Sequence, residues 1–153
     1  MRELRSLVQD YLEQAKLMQL ATAIDNQPWV CSVWFAADQE LNIYWFSSTT
    51  RRHSEELKKN SKVAGAFALP HEPDDPPRGL QFQGTAEELT DIGGIQRARS
   101  FYQGRIFDEK TIDELINNPG KPHRFYRAKP TKFVLFDALN FPENARQEYE
   151  VGS

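Results

Sequence analysis

Between Met18 and Ser47 three β-prone runs follow one another with almost no chain between them. Met18 to Asp25 is separated from Trp29 to Ala37 by Asp25-Asn26-Gln27-Pro28, a turn composition, and Asp38-Gln39-Glu40 leads into Leu41 to Ser47. A parallel pair needs a crossover of a dozen or more residues, so connections this short specify an antiparallel meander. The order of the chain is therefore set by hairpins rather than by alternating strands and helices.

The rest of the chain adds to that meander. Residues 3 to about 17 read as an amphipathic helix, with Leu4, Leu7, Val8, Tyr11, Leu12 and Ala15 on one face. A helix is expected from about 51 to 60, and a buried strand from Lys62 to Leu69 whose Gly65 and flanking alanines imply a close approach to the backbone. Residues 71 to 78 form a loop, since Pro70, Pro73, Pro76 and Pro77 punctuate it. Gly79 to Leu89 alternates cleanly, with Leu80, Phe82, Gly84 and Ala86 against Gln81, Gln83, Thr85 and Glu87. Residues 92 to 118 read as one or two helices, Ile92 to Phe101 and Asp108 to Ile116, the second opening on the acidic pair Asp108-Glu109. Lys121 to Ala128 reads as loop or short strand, and a last strand runs from Lys132 to Leu139 after Pro130. The tail from Asn140 to Tyr149 has too little apolar periodicity to specify an element. Roughly six strands with few helices between them imply a mainly β (α+β) fold, a small antiparallel barrel with capping helices, because an open sheet of that size must cover its edges.

Composition narrows the function. The 153 residues suit one domain, 1–153, and carry a formal charge of −3; with a pI near 5.7 that argues against a nucleic-acid binder working through bulk charge. Cys31 is the one cysteine, so no internal disulfide and no cysteine-rich metal framework can form. No apolar run reaches the length of a bilayer span, and Met1-Arg2-Glu3-Leu4-Arg5 lacks the pattern of a secretory signal. A cytoplasmic protein with no membrane and no metal is expected. His71 and the acidic residues beside it form a solvated loop, since no second His or Cys stands at ligand spacing.

The chemistry concentrates where the third strand gives way to a helix, through Tyr44-Trp45-Phe46-Ser47-Ser48-Thr49-Thr50-Arg51-Arg52-His53. The first turn of a helix bears partial positive charge and free N–H groups, and normally favours Asp or Glu. Arg51, Arg52 and His53 there are unfavourable by roughly a few tenths of a kcal/mol per charge. An anion gripped by hydroxyls, amides and guanidinium groups together reverses that sign, and phosphate fits best. The alternative is a junction whose arginines point into water.

The order of these elements resembles the FMN-binding split barrel of the pyridoxamine 5′-phosphate oxidase-like superfamily, from about Leu20 to Asp137. The resemblance rests on the meander, Tyr44-Trp45-Phe46-Ser47-Ser48, the basic helix start, the Val-Ala-Gly-Ala-Phe strand and Gly79-Leu80-Gln81-Phe82-Gln83-Gly84-Thr85-Ala86. The tail Asn140-Phe141-Pro142-Glu143-Asn144 through Gln147 is similar to that of a branch distinct from the oxidase proper. The resemblance implies a homodimer, with FMN as cofactor at the subunit interface and an unknown small molecule as substrate. By position it assigns Ser47 and Ser48 to the flavin ring or ribityl chain, with Trp45 beside them as a cofactor-binding candidate. Arg52 and His53, helped by Arg51 or Thr50, would take the 5′-phosphate. Val30, Cys31 and Ser32 would lie along the ribityl or ring edge, with Gln81 or Gln83 approaching from the long strand. Two departures, no basic residue beside Cys31-Ser32 and no lysine after the hydroxyl run, point away from pyridoxamine phosphate oxidation itself.

The leading expectation is a flavin-binding redox protein, in which the flavin does the electron chemistry and no residue acts as a covalent catalyst. A second is a module for another planar ligand, haem or a deazaflavin, with His53, His71 and His123 as the axial candidates. A third is an apo dimer with a structural role. Cys31 inside an apolar strand reads as packing, and Trp29, Trp34 and Trp45 read mainly as core.

Overall fold

The computed structural model describes residues 3–152. Met1, Arg2 and Ser153 lie outside the described residues, and with them part of the N-terminal stretch read against a secretory signal. The elements are α1 (Leu4–Gln14), β1 (Leu17–Ile24), β2 (Gln27–Ala37), β3 (Ile43–Ser48), α2 (Arg52–Lys59), β4 (Lys62–Phe67), β5 (Arg78–Glu88), α3 (Ile92–Tyr102), α4 (Glu109–Ile116), β6 (His123–Asp137) and β7 (Arg146–Glu150). The sheet runs β3-β2-β1-β4-β5-β6-β7, and β6 pairs back onto β3, so β1 to β6 close a ring. Among the described residues every pairing between these strands is antiparallel, as the short connections require. No helix among the described residues is long and apolar enough to cross a membrane.

Two apolar clusters hold this ring. The larger fills its interior: Leu20, Phe35, Trp45, Phe67, Phe82 and Phe133 come from different strands, and α1 adds Leu7, Val8, Tyr11 and Leu12 from its single apolar stripe. The second lies on the ring's outer side, where Ala98 and Tyr102 of α3 and Ile112 of α4 cover Tyr44 and Phe46 of β3 and Phe125 of β6. Covering β3 on both faces leaves all its residues buried. Asp91 caps α3 by accepting from Gly94 N–H, and Asp108 caps α4 by accepting from Thr111 N–H, which is what Asp does for an exposed helix start.

Local turn chemistry sets the meander. Asp25 and Asn26 both take positive φ (51° and 63°), the conformation of a two-residue hairpin turn whose twist matches its strands. At the next connection Asp38 is buried and its carboxylate accepts from the backbone of Glu40 and Asn42, the Asn42 amide, the Tyr44 hydroxyl and Arg97. One side chain thus ties the β2–β3 turn to α3.

Three expectations change. The stretch from Lys121 to Leu139 holds one continuous 15-residue strand, β6 (His123–Asp137), in place of a loop or short strand followed by a separate last strand. It passes through Pro130 because the β5–β6 register shifts between Gln83 and Gly84, pairing Gln83 with Lys132 and Gly84 with Pro130. A bulge is a place where a strand tolerates proline. Gly84 makes that approach possible, since a Cβ there would lie 2.3 Å from the Lys129 carbonyl oxygen. The tail does form an element, β7, paired with β6 from Lys132 to Phe136; its pattern alternates only between exposed and half-buried. And the group that approaches Gly65 is the chain's own Phe82 ring, opposite it on β5.

Candidate functional site

The site exists because β3 leaves β2. The two strands pair only where Phe35, Ala36 and Ala37 meet Trp45, Tyr44 and Ile43, while β3 stays on β6 as far as Ser48 and β2 stays on β1 back to Gln27. The ring is therefore split beside residues 29–34, whose outer edge has no strand partner. Phe35 N–H donates to the Lys16 carbonyl, on the β1 side. Backbone groups alternate along a strand, so those of Trp34, Ser32, Val30 and Pro28 turn to the open edge. Pro28 has no N–H to leave unpaired there.

A cleft of about 690 Å³ opens at this split. Cys31, Ser32, Ser47, Ser48, Arg51, Arg52 and His53 line it, together with Trp29, Trp34 and Phe46 of the strands, Tyr102, Phe107 and Leu115 of the helical cover, and Leu17, Val33 and His123.

The polar end is built on the start of α2. Arg51 stands at the N-cap in extended conformation and no side chain caps the helix, so its first amides keep their hydrogen-bonding capacity. Ser48 Oγ lies 2.9 Å from Thr50 Oγ1, and Ser54 Oγ donates to the Ser48 carbonyl at 2.9 Å, which fixes the strand–helix corner. His53 is buried, with Nε2 3.0 Å from Ser47 Oγ. Burial, and then the charge of Arg51, hold the His53 imidazole below its ordinary value, so the ring is neutral at pH 7. Arg52 is already placed: its Nε donates to Glu56 Oε2 at 2.7 Å and its guanidinium carbon lies 3.9 Å from the Trp29 ring centroid. Glu56 in turn accepts from Thr22 Oγ1 at 2.8 Å. The bond to Arg52 keeps the Glu56 carboxyl below its usual range.

The remaining walls are apolar. Trp34 and Phe107 meet edge to face, 5.5 Å between centroids at 86°, and His123 lies 5.1 Å from Phe46. Cys31 is half-buried, and burial pushes its thiol up to about 11; it is a protonated packing group, not a nucleophile.

The structure brings together Cys31, Ser32, Ser47, Ser48, Arg51, Arg52 and His53, with Thr50 exposed beside them. Trp45 is not among them. It is fully buried inside the ring, stacked on Tyr126 at 5.6 Å, because at Trp45 the strand still pairs with Phe35 of β2 and the split opens only beyond it. Val30, Gln81 and Gln83 are also elsewhere, around a second hollow of about 400 Å³ on the outer face of the sheet, with Ala21, Ala64, Ala66, Lys132 and Val134. Gln81 and Gln83 share that face while Phe82 between them enters the core. His71 sits in the proline-rich loop with Nδ1 2.8 Å from the Leu69 carbonyl. Among the described residues no group of three or more His, Cys, Asp or Glu could hold a metal.

Sequence reasoning undervalued Trp29 and Trp34, which are 40% and 49% exposed and line the cleft. It missed Phe107 and Leu115 altogether. The absence of a β partner for half of β2 is what exposes the tryptophans, and nothing local to Trp29–Ala37 signals it.

Comparison with known proteins agrees with this architecture. A family model described as pyridoxamine 5′-phosphate oxidase matches residues 4–135. The UPF0306 protein PM1958 of Pasteurella multocida (strain Pm70) is 28% identical over 109 residues, 71% of this chain and 72% of that one. A pyridoxamine 5′-phosphate oxidase-related, FMN binding protein of Nostoc punctiforme superposes with a TM-score of 0.66 at 13% identity, covering 100% of this chain and 98% of that one. The heme binding protein of Mycobacterium smegmatis gives 0.76 at 13% identity, covering 98% of this chain and 59% of that one. At such identities the structural likeness is one of fold.

Proposed function

Because the chain belongs to the pyridoxamine 5′-phosphate oxidase family, we propose that it binds FMN in the cleft at the split of the ring and serves, in the cytoplasm, as a redox protein for a small molecule. The observation that carries this reading is the uncapped start of α2, where Arg51, Arg52 and Ser48 converge beside free backbone amides. That donor set suits a phosphate monoester, since each charge-assisted bond is about twice as strong as a neutral one. Arg51, Arg52, Ser48 and the first amides of α2 would hold the phosphate. The open edge of β2 at residues 30 and 32 offers backbone donors and acceptors to the polar rim of a heterocycle. A bound flavin supplies the electron chemistry itself. Around it, Ser47 is held by neutral His53, and the apolar walls exclude water.

The second hollow bears on assembly. Ala21, Val30, Ala64, Ala66 and Val134 surround it, and Phe136, 42% exposed, continues the same face. We propose that a second copy of the chain covers this face, so that Gln81 and Gln83 approach a cofactor from the partner side.

The test is the visible spectrum of the protein as purified, followed by titration with FMN and with riboflavin and anaerobic reduction by NADH and NADPH. A flavin band, and FMN binding much tighter than riboflavin, are expected. Equal affinity for the two would remove the phosphate assignment. Sedimentation should give a dimer, and a monomer with full FMN affinity would sink the assembly. One observation favours haem as the second reading. His123 Nδ1 lies 3.2 Å from the Lys121 carbonyl, so in the neutral ring Nε2 is left as the ligand atom beside the cleft. A Soret band in place of the flavin spectrum would select it.

A further inference from the structure

The two ends of the cleft differ in kind. Its only basic lining residues, among those described, are Arg51, Arg52 and two histidines at the α2 end whose pKa values are held below the ordinary one; no Asp, Glu or Lys lines it. The other guanidinium groups nearby are committed to backbone carbonyls. Arg124 donates to Ile116 and His123. Arg105 donates to Phe35 and to the carbonyls that end α1.

A different wall stands away from the arginines, made by Leu17, Trp34, Phe107 and Leu115. Leu17 and Trp34 are each 49% exposed, large apolar surface that a ligand would remove from water. Phe107 is brought to Trp34 by the turn between α3 and α4, where Gly104 takes φ 81° and its N–H donates to the Phe107 carbonyl at 2.8 Å. That turn gives the wall a fixed edge-to-face aromatic corner.

We propose that this wall is a substrate subsite for a neutral, planar aromatic molecule of the quinone class, distinct from the phosphate grip. The inference rests on the FMN reading: once a mononucleotide's phosphate engages Arg51 and Arg52, this chain's own lining has no arginine or lysine left for a second phosphate or a carboxylate, and no carboxylate to pair with an amine. What remains is flat, apolar and aromatic. Such a surface discriminates by removing a ring from water and stacking it, not by charge.

Isothermal titration calorimetry of the FMN-loaded protein, with menadione and separately with pyridoxal 5′-phosphate, tests this. Menadione should bind saturably and pyridoxal 5′-phosphate at least about tenfold more weakly. Trp34→Ala and Phe107→Ala should each weaken menadione about tenfold, and Trp34→Phe should recover most of the loss. FMN affinity is measured on every variant. A parallel loss of FMN and menadione would overturn the proposal by making the wall part of the flavin seat. So would menadione that does not bind, or pyridoxal 5′-phosphate that binds as tightly. Failure to take up FMN at all is seen before any quinone is added; it overturns the cofactor reading and this one with it.

Discussion

Arg52 lies over Trp29, guanidinium carbon 3.9 Å from the ring centroid. With Glu56 on its Nε, the side chain is held from two sides before any ligand arrives. An arginine fixed in this way loses less conformational freedom on binding an anion than a free one. Arg52→Ala should therefore weaken FMN by roughly 1.5–3 kcal/mol, the range of a charge-assisted hydrogen bond, and leave riboflavin nearly unaffected. Glu56→Ala should act in the same direction more weakly, through Arg52. Equal losses for FMN and riboflavin in a fluorescence titration would show that the pair serves packing and not the phosphate.

Acid should loosen the apo protein before its carboxylates titrate. Burial, then Arg51, lower the His53 pKa; burial lowers that of His123, the Lys121 carbonyl opposes it, and Arg51 adds to it. The unfolded chain takes up protons near the ordinary value of 6.5 while the folded one resists. Stability is thus full above about pH 6.5 and falls as pH drops below it. Urea midpoints between pH 7.5 and 5.5 should show that decline, and His53→Gln should flatten it. An unchanged slope in the variant would mean that folding does not depress the His53 pKa.

Cys31 should be a poor target. With its thiol pushed up to about 11 by burial, the thiolate is roughly a thousandth of the population at pH 8. Modification by an aromatic disulfide reagent should run about a hundredfold slower than for an exposed cysteine. It should quicken as pH rises and slow when FMN fills the cleft. Rapid labelling at pH 7 would contradict the burial described for this strand.

Gly84→Ala should be among the more damaging single methyl additions. The new Cβ would meet Lys129 O at 2.3 Å and Pro130 Cα at 2.8 Å, backbone atoms that cannot swing aside, so overpacking of about 1–3 kcal/mol is expected. Gly79→Ala, on the same strand with nothing within 4 Å, is the control and should move the urea midpoint little. Equal effects would mean that the β5–β6 bulge does not depend on that glycine.

Much of the fold was legible because its signals are local. The hairpin at Asp25-Asn26, the alternation of Gly79 to Leu89, the Asp108 cap and the basic start of α2 all follow from periods and turn chemistry spanning a few residues. The grouping of Ser47, Ser48, Arg51, Arg52 and His53 follows too, since these residues are neighbours in the chain. Trp45 was placed with the cofactor although it is enclosed: it shares a face with Ser47 but still pairs with Phe35, and the point where β3 leaves β2 is a long-range boundary that the run from Ile43 to Ser48 does not mark. β6 was cut at Pro130 because the bulge that accommodates the proline is completed by Gly84, 46 residues earlier in the chain.

By itself, then, the amino-acid sequence determined the meander of the first three strands, the antiparallel barrel class and the cationic corner at the head of α2. Only the tertiary structure decided that β3 parts from β2 beyond the Phe35–Trp45 pair, leaving a strand edge and two tryptophans open to the cleft, and that the α3–α4 turn sets Phe107 against Trp34. The reason is range. Propensity and periodicity act over a turn or a strand, whereas the width of a split depends on which long-range pairing each strand keeps, and that is settled by packing against the whole ring.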